Sequence, residues 1–240
     1  MATPGDDILP RLRRVRAEID AAALAAGREP SDVRLLLATK TQPAKAILPI
    51  LRAGHTLIGE NRVQEVVAKA DELQAVPHET HFIGHLQANK INQLLGRISC
   101  LQTLDSAELA TKLDARLEVR QARLEVLIQV NVSGEESKSG VAPDRALELF
   151  EAVAGCSRLT VRGFMTIGLN STDSAAVRAG YRRLARLRDD ALAARLPGAE
   201  SATELSMGMS GDFADAIAEG ATIVRLGSAV FGRRPPQATG

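Results

Sequence analysis

The sequence has 240 residues, 45% hydrophobic and 25% charged, the composition of a globular protein with enough apolar side chains for a large core. Thirty basic and 29 acidic residues leave a formal net charge of +1, which argues against any general electrostatic pull toward nucleic acid or anionic membrane. Aromatic residues make up 2%, with no Trp and Tyr181 as the single tyrosine, too few for a base-stacking platform.

Residues 6–27 place Ile8, Leu12, Val15, Ile19 and Leu24 at helical spacing and stop at Gly27, which predicts an N-terminal helix. An alternation then begins. Strand-like runs fall at 34–39, 55–59, 80–84, 97–102, 124–131, 159–166, 203–206 and 222–226. Helical patterns lie between them at 43–53, 60–75, 88–95, 106–121, 143–154, 172–195 and 211–219. Pro43 and Pro143 suit first helical turns, Gly54, Gly155 and Gly220 suit helix ends, and Ser171, Thr172 and Asp173 are cap-type residues. Eight strands alternating with helices predict one (β/α)8 TIM barrel with an extra N-terminal helix. A doubly wound open sheet is the weaker alternative, because no Gly-x-Gly-x-x-Gly follows the first strand. With no linker or low-complexity segment, 1–240 reads as a single domain with an ordered core at about 6–232 and a frayed tail from Arg233. Cys100 and Cys156 stand apart without a CxxC pattern, and neither an apolar signal region nor a span of membrane length is present; the expected location is the cytoplasm.

The first strand, Arg34-Leu-Leu-Leu-Ala-Thr-Lys40, ends on a lysine. Strand alternation puts Leu36, Ala38 and Lys40 on one face and Leu35, Leu37 and Thr39 on the other. The amine is then either a solvated strand end or a working group above a packed layer. In a barrel the site lies at the carboxyl ends of the strands, and phosphate is often held by the loops after strands seven and eight. Those positions carry Asn61 after strand two, His81 in strand three, Met165 at the end of strand six and Ser206 in strand seven. The loop Leu205-Ser-Met-Gly-Met-Ser-Gly-Asp212 offers backbone N–H groups and the Ser210 hydroxyl to an anion, and Gly227 and Ser228 add donors from the neighbouring loop. Ser210 as a simple helix cap is the plainer reading, and Asp212 would oppose an anion unless it turns away.

A phosphate seat facing a strand-end lysine suggests pyridoxal 5′-phosphate (PLP), whose aldehyde forms a Schiff base with an amine. Arg225 shares a face with Ile223 and is a candidate partner for the ring nitrogen; an ion pair with Glu204 is its alternative. His81 and His85 have metal-ligand spacing without a third ligand, so no metal is expected. The arginines at 178, 182, 183, 186 and 188, followed by Asp189 and Asp190, read as a solvated helix face.

Six blocks carry a resemblance: Leu36–Pro43, Gly59–Glu65, His81–Lys90, Ser137–Gly140, Leu205–Ser210 and Val224–Gly232. In order and in content they resemble the PLP homeostasis protein family, the YggS-type or proline synthase co-transcribed homologue proteins. The resemblance implies a fold type III-like barrel related to the N-terminal part of alanine racemase, with PLP on Lys40. It implies a phosphate site around Ser210, Gly227 and Ser228, Arg225 at the ring nitrogen, and Asn61 and His81 nearby. This chain has Ile58 and Arg62 where the family often has aromatics.

Racemisation in alanine racemase takes its second base, a tyrosine, from another domain and subunit. No second domain is expected here, and Tyr181 sits in a helix pattern expected to face away from the strand ends. The expected function is therefore a monomeric carrier or buffer of PLP in vitamin B6 and amino-acid homeostasis, exchanging cofactor with PLP-dependent apo-enzymes. A small PLP-dependent racemase or lyase is the alternative.

Overall fold

A computed structural model describes residues 7–135 and 138–232; Ser137 of the fourth family block and the tail from Arg233 lie outside the described residues. Strands β1 (Arg34–Ala38), β2 (Leu57–Glu60), β3 (Glu79–Phe82), β4 (Cys100–Leu104), β5 (Leu124–Gln129), β6 (Leu159–Met165), β7 (Glu204–Ser206) and β8 (Ile223–Leu226) pair in chain order. All pairs are parallel, and β8 returns to β1 in the register Leu36↔Arg225, closing the barrel. The helices are α1 (Ile8–Ala25), α2 (Ala44–Arg52), α3 (Val63–Leu73), α4 (Ile91–Leu94), α5 (Ala107–Val119), α6 (Ala146–Ala154), α7 (Ser174–Ala193), α8 (Phe213–Ala218) and α9 (Ser228–Phe231). The expected barrel with an added N-terminal helix is thus the observed fold.

Two-sided burial explains the continuous apolar strands. Leu35 and Leu37 of β1 join the outer core between strands and helices, with Ile50, Val66 and Val224. Leu36 turns the other way, into the barrel, and packs with Leu57 and Ile223. Cys100, Leu127 and Met165 form a second interior cluster, where burial pushes the Cys100 thiol well above its ordinary range. Below these layers, at the amino ends of the strands, Arg34 reaches Glu79 at 2.6 Å and Glu204 at 3.4 Å. Helix α1 packs on α8 and α9 over the seam between β8 and β1, and Arg28 donates to the Ile217 and Ala221 carbonyls at the end of α8.

Three local expectations need correction. The fourth strand runs Cys100–Leu104, later than the predicted 97–102: buried Thr103 and Leu104 extend it past Gln102. Pro43 occupies the N-cap of α2 and not its first turn. The short α9 follows β8 unannounced by any apolar period.

Candidate functional site

A cavity of about 500 Å³ opens at the carboxyl ends of the strands. Lys40 and Thr41 line it from the turn after β1, Asn61 from the end of β2, and Met165 from the end of β6. Met209, Ser210 and Gly211 close it from the loop after β7, and Arg225, Gly227 and Ser228 from β8 and the turn beyond. Lys40 is half-buried, two residues past the last residue of β1, on the same side as Leu36 and Ala38.

The loop after β7 is shaped by Asp212. Its Oδ1 accepts from the Met209 N–H at 2.6 Å and its Oδ2 from the Tyr181 hydroxyl at 2.8 Å, so the carboxylate is committed to the loop and to α7. The Met209 carbonyl accepts from the N–H groups of Asp212 and Phe213. Those of Ser210 and Gly211 have no acceptor among the described residues. Asp212, not Ser210, holds the N-cap position of α8, and Ser210 is among the residues that line the cavity. A Cβ on Gly227 would stand 2.8 Å from the Ala38 carbonyl oxygen, so glycine is what lets β8 run close beside β1 at the cavity wall.

Tyr181 departs from expectation. It lies on the buried stripe of α7 with Val177, Leu184 and Ala191, and its hydroxyl reaches the strand-end loops beside Gly168 and Asp212. Burial and the Asp212 carboxylate push its pKa up, so the phenol stays protonated as a donor to Asp212.

Arg225 projects into the barrel and is 6% exposed. Its Nη1 donates to Ser206 Oγ at 2.9 Å and its Nη2 to the Thr166 carbonyl at 2.7 Å. Glu204, its alternative partner, belongs instead to Arg34 at the opposite end of the barrel. Burial without a carboxylate partner lowers the guanidinium to about 10. The Ser206 hydroxyl donates to Gln102 Oε1 at 2.7 Å, and Gln102 Nε2 meets His81 Nδ1 at 2.8 Å. The amide can only donate there, which puts the ring proton on Nε2, facing Glu79 Oε2 at 3.5 Å. Ser206 and His81 therefore stand behind the cavity wall, connected to it through Arg225.

His85 is exposed, with Nδ1 3.9 Å from Asp105, and does not converge with His81. Among the described residues no group of three or more His, Cys, Asp or Glu side chains could hold a metal ion. Arg178 and Arg182 both bond Glu219, and Arg188 bonds Asp189, so this part of the basic stretch is neutralised at the surface. Ile58 points outward into the cluster of Ala44, Ile47, Leu51 and Leu73, and Arg62 is exposed; neither lines the cavity. Gln102 carries no local signal of a role, and Glu60 and Glu65, inside the Gly59–Glu65 block, meet Lys69 only in the fold. Lys69 was visible in principle, as a charged residue on the stripe of Val63, Val66 and Leu73. A larger cavity of about 580 Å³ lies outside the barrel between α3 and the segment 96–99, with Glu60 and Lys69 in its wall.

The model of the alanine racemase N-terminal domain matches residues 12–235. A pyridoxal phosphate homeostasis protein of Vibrio cholerae is 41% identical over 227 residues, covering 93% of this chain and 94% of that one. Among solved structures, an unknown protein from Bifidobacterium adolescentis superimposes with a TM-score of 0.91 at 41% identity, covering 95% of each chain. PipY of Synechococcus elongatus, solved with PLP bound, has a TM-score of 0.78 at 32% identity over 90% of this chain and all of its own. This chain belongs to the pyridoxal phosphate homeostasis proteins, within the larger alanine racemase N-terminal-domain family.

Proposed function

We propose that this protein binds PLP at the strand-end cavity and buffers it in the cell. The observation that supports the reading is the cavity itself, whose lining includes Lys40, Arg225 and the Ser210–Gly211 loop with its two backbone N–H groups lacking an acceptor among the described residues. PLP supplies an aldehyde that an amine captures reversibly. The residues present fit that group: Lys40 for the aldehyde, Ser210, Gly227 and Ser228 for the phosphate, Arg225 as a donor to the ring nitrogen, and Met165 against the ring. Asn61 adds a buried amide oxygen with no partner among the described residues, ready to accept from a bound polar group. Ser206 and His81 serve through the hydrogen bonds that orient Arg225.

The lining favours a carrier over an enzyme. Among the described residues around the cavity, Lys40 and Arg225 are the ionisable side chains, and Tyr181 is committed to Asp212. Among the described lining residues the other ionisable group is the Arg225 guanidinium, a poor general base. Both cysteines are free thiols, which suits a reducing cytoplasm, and the described helices include none long and apolar enough to cross a membrane. The reading extends to a monomer that hands PLP to apo-enzymes, which light-scattering mass and transfer assays would test.

Incubation with PLP should give a visible absorption band that borohydride fixes as a mass increment on the peptide holding Lys40. The Lys40→Ala variant should lose both; their survival overturns the assignment. Steady turnover of any L-amino acid that depends on Lys40 overturns the carrier reading.

A further inference from the structure

The two peptide groups that adjoin Lys40 are both held from behind the barrel wall. Thr39 and Lys40 share a peptide whose carbonyl oxygen accepts from Lys69 Nζ at 3.0 Å. Lys40 and Thr41 share the next peptide, whose N–H donates to Glu65 Oε2 at 2.7 Å. Fixing both peptide planes fixes φ and ψ at Lys40, and with them the direction of its Cα–Cβ bond.

The anchors are joined to one another. Lys69 Nζ also donates to Glu60 Oε1 at 2.7 Å and to Glu65 Oε2 at 3.2 Å, which uses all three ammonium donors. The Thr39 hydroxyl donates to the same Glu60 Oε1 at 2.6 Å. The side chains of Lys69, Glu60 and Glu65 are 10%, 2% and 17% exposed, so most of the cluster is buried between β2 and α3. What it holds is strained: Thr41 is a β-branched residue at φ 65°, a conformation that persists only where the surroundings enforce it. A sharp left-handed turn directly after Lys40 is what turns the chain toward α2 while the lysine faces the cavity.

We propose that Lys69, with Glu60 and Glu65, is a positioning cluster for Lys40, fixing both adjoining peptides so that the amine points into the cavity. The inference rests on the reading of Lys40 as the PLP-binding amine and adds to it a group of residues that never touch the cofactor. Glu65 is the sharpest probe, because Glu65→Gln keeps an acceptor for the Thr41 N–H and Glu65→Ala removes it.

The test compares wild type, both Glu65 variants and Leu117→Ala, a core change on α5 that controls for lost stability. Amide hydrogen exchange at Thr41 and equilibrium PLP affinity are read together with thermal unfolding. In Glu65→Ala the Thr41 amide should exchange faster and PLP should bind about tenfold more weakly, the effect of releasing one such strained turn. Glu65→Gln should stay close to wild type in both readouts, and Leu117→Ala should keep its affinity while losing stability. Wild-type affinity in Glu65→Ala with a freely exchanging Thr41 amide overturns the positioning role alone. Equal loss of affinity in Leu117→Ala overturns it too, by reducing the effect to stability. Absence of Lys40-bound PLP in the wild type overturns the cofactor reading itself.

Discussion

Arg225 Nη1 and Ser206 Oγ lie 2.9 Å apart inside the barrel, and the arginine is the donor. A hydroxyl that accepts from a guanidinium still has its own O–H to donate, and Ser206 donates it to Gln102 Oε1 at 2.7 Å. The serine thus links a cation in the cavity wall to the buried amide that faces His81. Ser206→Ala removes both bonds at once and leaves Arg225 Nη1 and Gln102 Oε1 each short of a partner. Each buried group so stranded costs about 1–3 kcal/mol. Urea unfolding should show a loss of at least that size, and PLP affinity should fall as Arg225 loses its fixed orientation. Unchanged stability would mean that water enters and replaces the hydroxyl.

The second expected effect concerns Asp212, which is kept from an anionic ligand by the Tyr181 hydroxyl and the Met209 N–H. Tyr181→Phe withdraws the side-chain bond and keeps the ring's packing. The loss should be about 1.5–3 kcal/mol, the range for a hydrogen bond to a charged group. With the carboxylate less restrained beside the loop of Ser210 and Gly211, binding of inorganic phosphate and of PLP should both weaken in calorimetric titration. An effect on PLP alone would move the cause from the phosphate seat to the ring.

Gly227 allows a further test of the seat. A methyl group there would stand 2.8 Å from the Ala38 carbonyl oxygen, a backbone atom at the end of β1 that cannot swing aside as a side chain can. Gly227→Ala should cost about 1–3 kcal/mol, typical of overpacking, and should weaken phosphate binding by pushing β8 away from β1. Gly155→Ala is the matched control, since its nearest backbone contact is 3.5 Å and its φ of −72° is ordinary. It should leave the melting temperature unchanged or slightly raised.

The order of elements was legible because both faces of most strands are apolar and because glycines and prolines punctuate the helices. Lys40, the loop after β7 and the turn after β8 were legible as unusual residues at the strand ends. What escaped was long-range pairing. Glu204 looked like a partner for Arg225, yet the register pairs Ser206 with Ile223, which sets Glu204 at the lower mouth beside Arg34 and leaves Arg225 near the upper one. Gln102 falls inside the expected fourth strand, but its partners His81 and Ser206 come from β3 and β7, which no local pattern joins to it. Tyr181 lay on a readable stripe, but the reach of its ring to Asp212 depends on how α7 sits over the β7 loop.

The last expectation concerns acid. Glu79 is held down to about 2, first by its hydrogen bond with His81 and then by Arg34, against an ordinary value of 4.5. A carboxylate depressed in the folded state contributes stability that is fully present above its unfolded pKa and lost as pH falls through the folded one. Between about 4.5 and 2 the unfolded chain binds the extra proton, so stability should decline across that window. The side chain of Glu79 is 47% exposed, so solvent screening keeps the contribution small. Glu79→Gln should therefore flatten the decline without removing it, as measured by urea midpoints across the window. It should also leave PLP affinity at neutral pH near wild type, because Glu79 lies at the lower mouth, with His81, Gln102 and Ser206 between it and Arg225. A parallel decline in variant and wild type would show that the carboxylate is not held down in the folded protein.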